Sequence, residues 1–302
     1  MPIIEVEGLT KRYGDHTALR DVSFSVEEGQ IFGVLGRNGA GKTTTVECIE
    51  GLRRADSGRI SVNGLDPTRH AAELSSTLGV QLQDGALPDN MKVWEALDLY
   101  SSLYPTPLNW RELLEEWGLA EKRNARFGKL SGGQKQRLFI ALALVGDPRV
   151  AILDELTTGL DPQARRDTWS LVERIRDRGV TVLLITHFMD EAERLCDRIA
   201  VFDKGTVAAV GSPDELIGRA GPRQRVSFVP SLPISDEDLN GLLGVEAVVR
   251  DGDQVTLHGS SDLLQAVTTS LARREIVPVG LSVENTGLEE AFLALTGEER
   301  SR

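Results

Sequence analysis

Apolar and polar positions follow two different periods along the chain, and a third pattern has no period. Ile3 to Gly8 and Ala18 to Glu27 alternate, which predicts antiparallel strands with one wet face. Gln30 to Leu35, Val150 to Leu153 and Val180 to Ile185 are unbroken apolar runs, which predicts strands covered on both faces. Arg59 to Asn63 predicts another strand, between the turn signals Ser57-Gly58 and Asn63-Gly64. From about Gln83 to Asp147 the spacing becomes helical. Val93, Ala96, Leu97 and Tyr100 form one stripe, and Asn109 to Trp117 and Gly133 to Val145 predict further helices. Arg198 to Phe202 and Thr206 to Val210 flank Asp203-Lys204-Gly205, a hairpin turn.

Composition changes near Gly218. Gly218 to Arg225 is rich in Gly, Arg and Pro and predicts a linker. Beyond it the pattern predicts a strand (Arg225 to Val229), a helix (Asp236 to Leu243) and two strands (Val245 to Arg250 and Gln254 to His258). A helix (Ser261 to Glu275), a strand (Val277 to Glu284) and a closing helix (Leu288 to Leu295) follow. The first six give βαββαβ, a ferredoxin-like order. No polar cluster there suggests a site, and the chain has no repeats.

At 302 residues and 40 % apolar content, the chain fits one large domain and one small one. No run approaches the ~18 apolar residues that span a bilayer. The N-terminus, MPIIEVEG, lacks the regions of a signal peptide. The expected location is therefore cytoplasmic, with any membrane role supplied by a partner chain. A net charge of -12 argues against nonspecific nucleic-acid binding and serves solubility. Cys48 and Cys196 have no metal-ligand spacing and read as buried, reduced thiols.

Chemistry concentrates in three segments. GRNGAGKT (Gly36, Arg37, Asn38, Gly39, Ala40, Gly41, Lys42, Thr43) lies between a predicted strand and a predicted helix. Glycines there let backbone amides approach a polyphosphate, and the helix N-terminus adds positive potential. Lys42 is expected to reach the β- and γ-phosphates, Thr43 to ligate Mg²⁺, and Thr44 to contact the α-phosphate. Asp154 and Glu155 end the apolar strand AILDE. A buried carboxylate is costly unless compensated; hydrated Mg²⁺ would compensate Asp154. Glu155 is then placed to orient or deprotonate an attacking water. In LSGGQKQR, Ser131, Gly132 and Gly133 precede a helix expected to begin near Gln134, whose bare amides suit an anion. No second P-loop lies nearby, so that anion is expected from another subunit.

These segments, in this order, resemble the nucleotide-binding domain of the ABC ATPase family. The resemblance spans about Ile3 to Gly211. It implies an α/β fold: a P-loop NTPase core, an antiparallel β subdomain, and a helical subdomain at about 84–147. The nucleotide-binding domain is expected at 1–217 and a small α+β accessory domain at 222–302. It implies that Tyr13, in KRYG, stacks on adenine, and that Gln83, in VQLQDG, is the glutamine touching Mg²⁺ or water, with Gln81 a competing candidate. His187, in LLITHFMDEAE, resembles the histidine that contacts the γ-phosphate; Asp161, in GLDP, resembles the loop through which two subunits sense each other. His16, His70 and His258 lack such context and read as surface residues. Leu156 stands where the family usually has proline. The family implies ATP and Mg²⁺ as cofactors, a homodimer enclosing two ATP molecules, and membrane permease partners. THFMDEAERLCDRIAVFDKGTV and the tail LEEAFLALTG resemble ABC-2-type exporter ATPases of the daunorubicin-resistance kind, which implies efflux of a drug, antibiotic, lipid or polysaccharide. An importer ATPase would share every catalytic motif. A soluble ABC ATPase acting on ribosomes or DNA would usually carry two such domains or a long coiled-coil insert.

Overall fold

The computed structural model describes residues 2–81, 85–220, 223–285 and 287–297. The chain divides into two units, 1–213 and 214–302.

In the first unit, strands β1 (Ile4–Tyr13), β2 (His16–Val26) and β4 (Ser57–Val62) form an antiparallel sheet in the order β2-β1-β4. A six-stranded sheet contains β3 (Ile31–Gly36), β5 (Leu78–Gln81), β6 (Val150–Asp154), β7 (Thr181–Thr186), β8 (Arg198–Asp203) and β9 (Thr206–Gly211). Its order is β5-β6-β7-β3-β8-β9, parallel except for the β8–β9 hairpin. That hairpin turns through Lys204 (φ 45°) and Gly205 (φ 82°), the left-handed pair a two-residue hairpin requires.

The unbroken apolar runs are explained by packing on both faces. Every residue of β3 and β7 is buried. One core joins the two sheets: Ile4, Val6 and Phe24 pack with Phe32, Val34 and Ile152, and the Phe24 and Phe32 rings stack at 5.4 Å. Each such side chain contributes about 1.5–3 kcal/mol when fully buried. Cys48 and Cys196 are both buried and free.

Three sequence expectations shift. β4 begins at Ser57, so the Ser57-Gly58 signal lies inside the strand. Gly58 holds φ 95° where the β1 pairing slips between Glu7 and Thr10, a bulge rather than a turn. Among the described residues of the 83–147 region, helix begins only at Val93: the helices are Val93–Ser101, Trp110–Glu116 and Gly132–Leu144. The linker expected at 218–225 is largely regular structure, because helix Pro213–Ala220 ends there and strand β10 (Arg223–Pro230) begins.

In the second unit, β10 is followed by β11 (Val245–Asp251), β12 (Gln254–Ser260) and β13 (Pro278–Asn285). The antiparallel order β11-β12-β10-β13 puts β12 between β10 and β11, and β10 between β12 and β13. This interleaving of two βαβ units is the ferredoxin-like arrangement. Its core, including Val226, Phe228, Leu257 and Val267, is built from this unit alone. Among the described residues, no helix is long and apolar enough to cross a membrane.

Candidate functional site

Strands β3, β7 and β6 lie side by side in parallel, so their C-terminal ends share one rim. Leu35 pairs with Thr186, and Ile185 pairs with Asp154. Gly36 and His187 therefore come level with each other, and Glu155 lies one residue before that level. Such a rim is where open α/β sheets place ligands.

The loop after β3 is shaped by its glycines. A Cβ on Gly36 would stand 2.6 Å from the Phe202 carbonyl oxygen, so a larger residue would push the loop away from β8. Gly41 N-caps helix Lys42–Ile49 at φ 101°, a backbone region that other residues rarely adopt. Lys42 is buried, and its Nζ turns back over the loop. It donates to the Gly36 carbonyl at 2.6 Å and to the Arg37 carbonyl at 3.1 Å. Burial lowers the Lys42 pKa, while the charges of Glu155 and Asp154 oppose that shift. A desolvated ammonium at a helix N-terminus is poised to gain from an incoming anion.

Asp154 and Glu155 face this loop. The Asp154 amide donates to Gln81 Oε1 at 3.2 Å, which ties β6 to β5 through a buried side chain. Glu155 adopts a left-handed conformation, φ 47°, and its amide donates to the Ile185 carbonyl at 2.9 Å. Its Oε1 lies 3.0 Å from His187 Nδ1, and Oε2 accepts from Thr158 Oγ1 at 3.4 Å. Leu156 is 1 % exposed, so packing anchors this turn where the family's proline would rely on a rigid ring. A residue before proline is steered to extended values; Leu156 leaves Glu155 free of that restriction.

Tyr13, His16, Asn38, Lys42, Thr43 and Glu155 are among the residues lining one cleft of about 350 Å³; Ala18, Gly39, Gly41, Thr44 and Asp154 also line it. That volume suits a small-molecule ligand. His16, read from sequence as a surface residue, is exposed but belongs to this cleft. The signal was the short Gly14-Asp15 turn, which pairs His16 with Tyr13 across the hairpin. Gln83 lies outside the described residues.

A second group sits elsewhere. Helix Gly132–Leu144 begins two residues before Gln134. Ser131 Oγ accepts from the Gln134 amide at 3.3 Å, and Gln134 Oε1 accepts from the Ser131 amide at 3.1 Å. In this capping box each side chain accepts from the other residue's backbone amide. Asp161 N-caps helix Pro162–Asp177, accepting from the amides of Gln163 at 3.0 Å and Ala164 at 2.9 Å. The two caps are neighbours: a Cβ on Gly132 would meet Leu160, and one on Gly133 would meet Ala164. None of Ser131, Gly132, Gly133, Gln134 or Asp161 lines the Lys42 cleft.

A buried lysine in a glycine loop, a helix N-terminus and a strand-end acidic pair in one cleft define a P-loop ATPase. The comparisons narrow the class. The ABC transporter family profile matches residues 19–158. The chain is 43 % identical over 221 residues to Nod factor export ATP-binding protein I of Ralstonia nicotianae, covering 72 % of this chain and 69 % of the relative. It is 36 % identical to daunorubicin resistance ATP-binding protein DrrA3 of Streptomyces coeruleorubidus, covering 98 % and 96 %. Among solved structures, an ATP-binding subunit of an ABC transporter superposes with a TM-score of 0.65 at 30 % identity, over 72 % of this chain and 92 % of the other. The chain belongs to the ABC transporter family, as one of its ATP-binding, ATP-hydrolysing proteins.

Proposed function

We propose that this chain powers an exporter by hydrolysing ATP in a site completed by a second copy of itself, on the cytoplasmic face of a separate permease. The observation that carries the reading is the meeting of Lys42, Asp154 and Glu155 in one cleft, with Glu155 held 3.0 Å from His187.

Tyr13 stacks on adenine. The amides from Arg37 to Gly41, with Thr44, cradle the phosphates. Lys42 exchanges its two loop carbonyls for the β- and γ-phosphates, a charge-assisted replacement for neutral acceptors. Thr43 and Asp154 would hold Mg²⁺. Both line the cleft, and the described residues contain no group of three or more His, Cys, Asp or Glu able to hold a metal by themselves. A site with one carboxylate and substrate phosphates fits Mg²⁺, whose charge would offset that developing on the phosphate oxygens. Gln83 would touch the Mg²⁺ or a water in this reading.

Glu155 orients a water and accepts its proton as the water oxygen attacks the γ-phosphorus; the bond to the β–γ bridging oxygen breaks, releasing ADP and phosphate. His187 steadies Glu155 and reaches the γ-phosphate. The Ser131–Gln134 box leaves the Gly132 and Gly133 amides for the γ-phosphate bound by the other copy, and Asp161 lies beside that contact. Residues 1–217 form the catalytic domain and 222–302 an accessory domain without catalytic groups.

Export is supported by relatives along nearly the whole chain. Besides the daunorubicin resistance protein, linearmycin resistance ATP-binding protein LnrL of Bacillus subtilis is 33 % identical over 98 % of both chains. The test is transport in inside-out membrane vesicles carrying this chain and the permease recovered with it from native membranes. ATP-dependent uptake into the vesicles, abolished by Lys42→Ala, is expected. Substrate movement in the opposite sense would make the chain an importer ATPase.

A further inference from the structure

Tyr13 is 40 % exposed, on a strand near a hairpin tip, where an aromatic ring would ordinarily sample several orientations. Two cations hold it. The Arg53 guanidinium carbon lies 5.2 Å from the ring centroid and Lys11 Nζ lies 5.7 Å from it. Both are within cation–π range. Each cation is in turn clamped by a carboxylate. Glu47 grips Arg53 through two bonds, Nε to Oε2 at 2.5 Å and Nη2 to Oε1 at 3.2 Å. Asp56 accepts from Lys11 Nζ at 2.9 Å and from the Arg12 amide at 2.7 Å.

The placement is one-sided. Tyr13 lines the Lys42 cleft, and neither cation does. Arg53 instead lines a neighbouring groove of about 630 Å³ with Asp56. The cations therefore contact the ring without lining the cleft that Tyr13 lines. Glu47 belongs to the helix that begins at Lys42, so the chain Glu47–Arg53–Tyr13 ties the aromatic platform to the phosphate loop.

We propose that Arg53, locked by Glu47, is a positioning residue that holds the Tyr13 ring ready for the purine of ATP and so sets the base-dependent part of nucleotide affinity. This rests on Tyr13 being the adenine platform. A ring already fixed loses less conformational freedom on stacking, so the gain appears only for ligands that carry a base. The Glu47 grip also fixes the distance between base platform and phosphate loop, which favours a nucleoside triphosphate over its separate parts.

The test compares equilibrium binding of MgATP and of magnesium tripolyphosphate to the full chain, and takes the ratio of the two affinities. Arg53→Ala should lower that ratio about three- to tenfold while tripolyphosphate binding stays put. KM for ATP should rise by the same factor with kcat held within about twofold. Glu47→Gln, which keeps the cation but loosens the clamp, should give a smaller fall in the same direction. Tyr13→Ala should collapse the ratio. If Tyr13→Ala lowers the ratio and Arg53→Ala and Glu47→Gln do not, the positioning role is wrong while the platform stands. If Tyr13→Ala leaves the ratio unchanged, the platform itself is wrong. An equal loss for both ligands in Arg53→Ala would mark a general structural role and also overturn the inference.

Discussion

His187 Nδ1 lies 3.0 Å from Glu155 Oε1. One residue follows strand β7 and the other follows strand β6, so two adjacent parallel strands deliver the pair by their register alone. Glu155 is almost closed off, its side chain 9 % exposed, whereas His187 is 33 % exposed and can meet a ligand. The carboxylate is thus oriented by a partner whose own ring stays partly exposed, although it is not among the residues lining the Lys42 cleft.

If His187 steadies Glu155 and reaches the γ-phosphate, its loss should cost chemistry more than binding. His187→Ala should lower kcat about tenfold to a hundredfold and change ATP affinity by less than about threefold. Single-turnover hydrolysis alongside nucleotide titration separates the two effects. A variant that hydrolyses normally would remove His187 from the mechanism.

Glu50 closes the helix that starts at Lys42, and both its carboxylate oxygens are buried without a hydrogen-bond partner among the described residues. Burial, then the charges of Asp154 and Glu47, push its pKa up to about 7. The folded state therefore holds a proton that the unfolded state has already released above the ordinary value of 4.5. Stability contributed by this group falls as pH rises from about 4.5 to 7 and is flat above that. Glu50→Gln should raise the Tm by about 2–5 °C at pH 8 and leave it unchanged at pH 5, measured without nucleotide or metal. An equal shift at both pH values would mean that Glu50 is not buried in its charged form.

The second unit builds its core from its own residues, and the cleft-lining residues all precede it. A chain ending at residue 221 should therefore bind MgATP with an affinity within about twofold of the full chain, by titration calorimetry. Loss of binding in a folded truncation would make the accessory unit part of the site.

Much of this was readable in the sequence, for physical reasons. Buried parallel strands leave unbroken apolar runs, so Gln30 to Leu35, Val150 to Leu153 and Val180 to Ile185 were legible, as were Lys42, Asp154 and Glu155 at their ends. Other elements were not. Strand β5 has only four residues, LGVQ, too few for a period. Helix Pro162–Asp177 hides its apolar stripe of Leu171, Val172 and Ile175 among charges. The Gly14-Asp15 turn that pairs His16 with Tyr13 was legible, but the cleft His16 lines also needs the loop after β3, which is distant in sequence. Gln81, one of two candidate glutamines, has its side chain committed to the Asp154 amide. That commitment depends on β5 and β6 being neighbours, a fact of topology.

In the proposed mechanism the Ser131 segment serves ATP bound by another copy, since that segment does not line the Lys42 cleft. If Glu155 is the proton acceptor, Glu155→Gln removes that role while keeping the shape, so it should bind MgATP, lose at least about tenfold in turnover and persist in the ATP-bound state. Light scattering on that variant should give the monomer mass of 33.0 kDa without nucleotide and twice that mass with MgATP. Adding Ser131→Arg should return it to the monomer with ATP still bound. A Glu155→Gln chain that stays monomeric when saturated with MgATP, or a dimer indifferent to Ser131→Arg, would contradict the shared site.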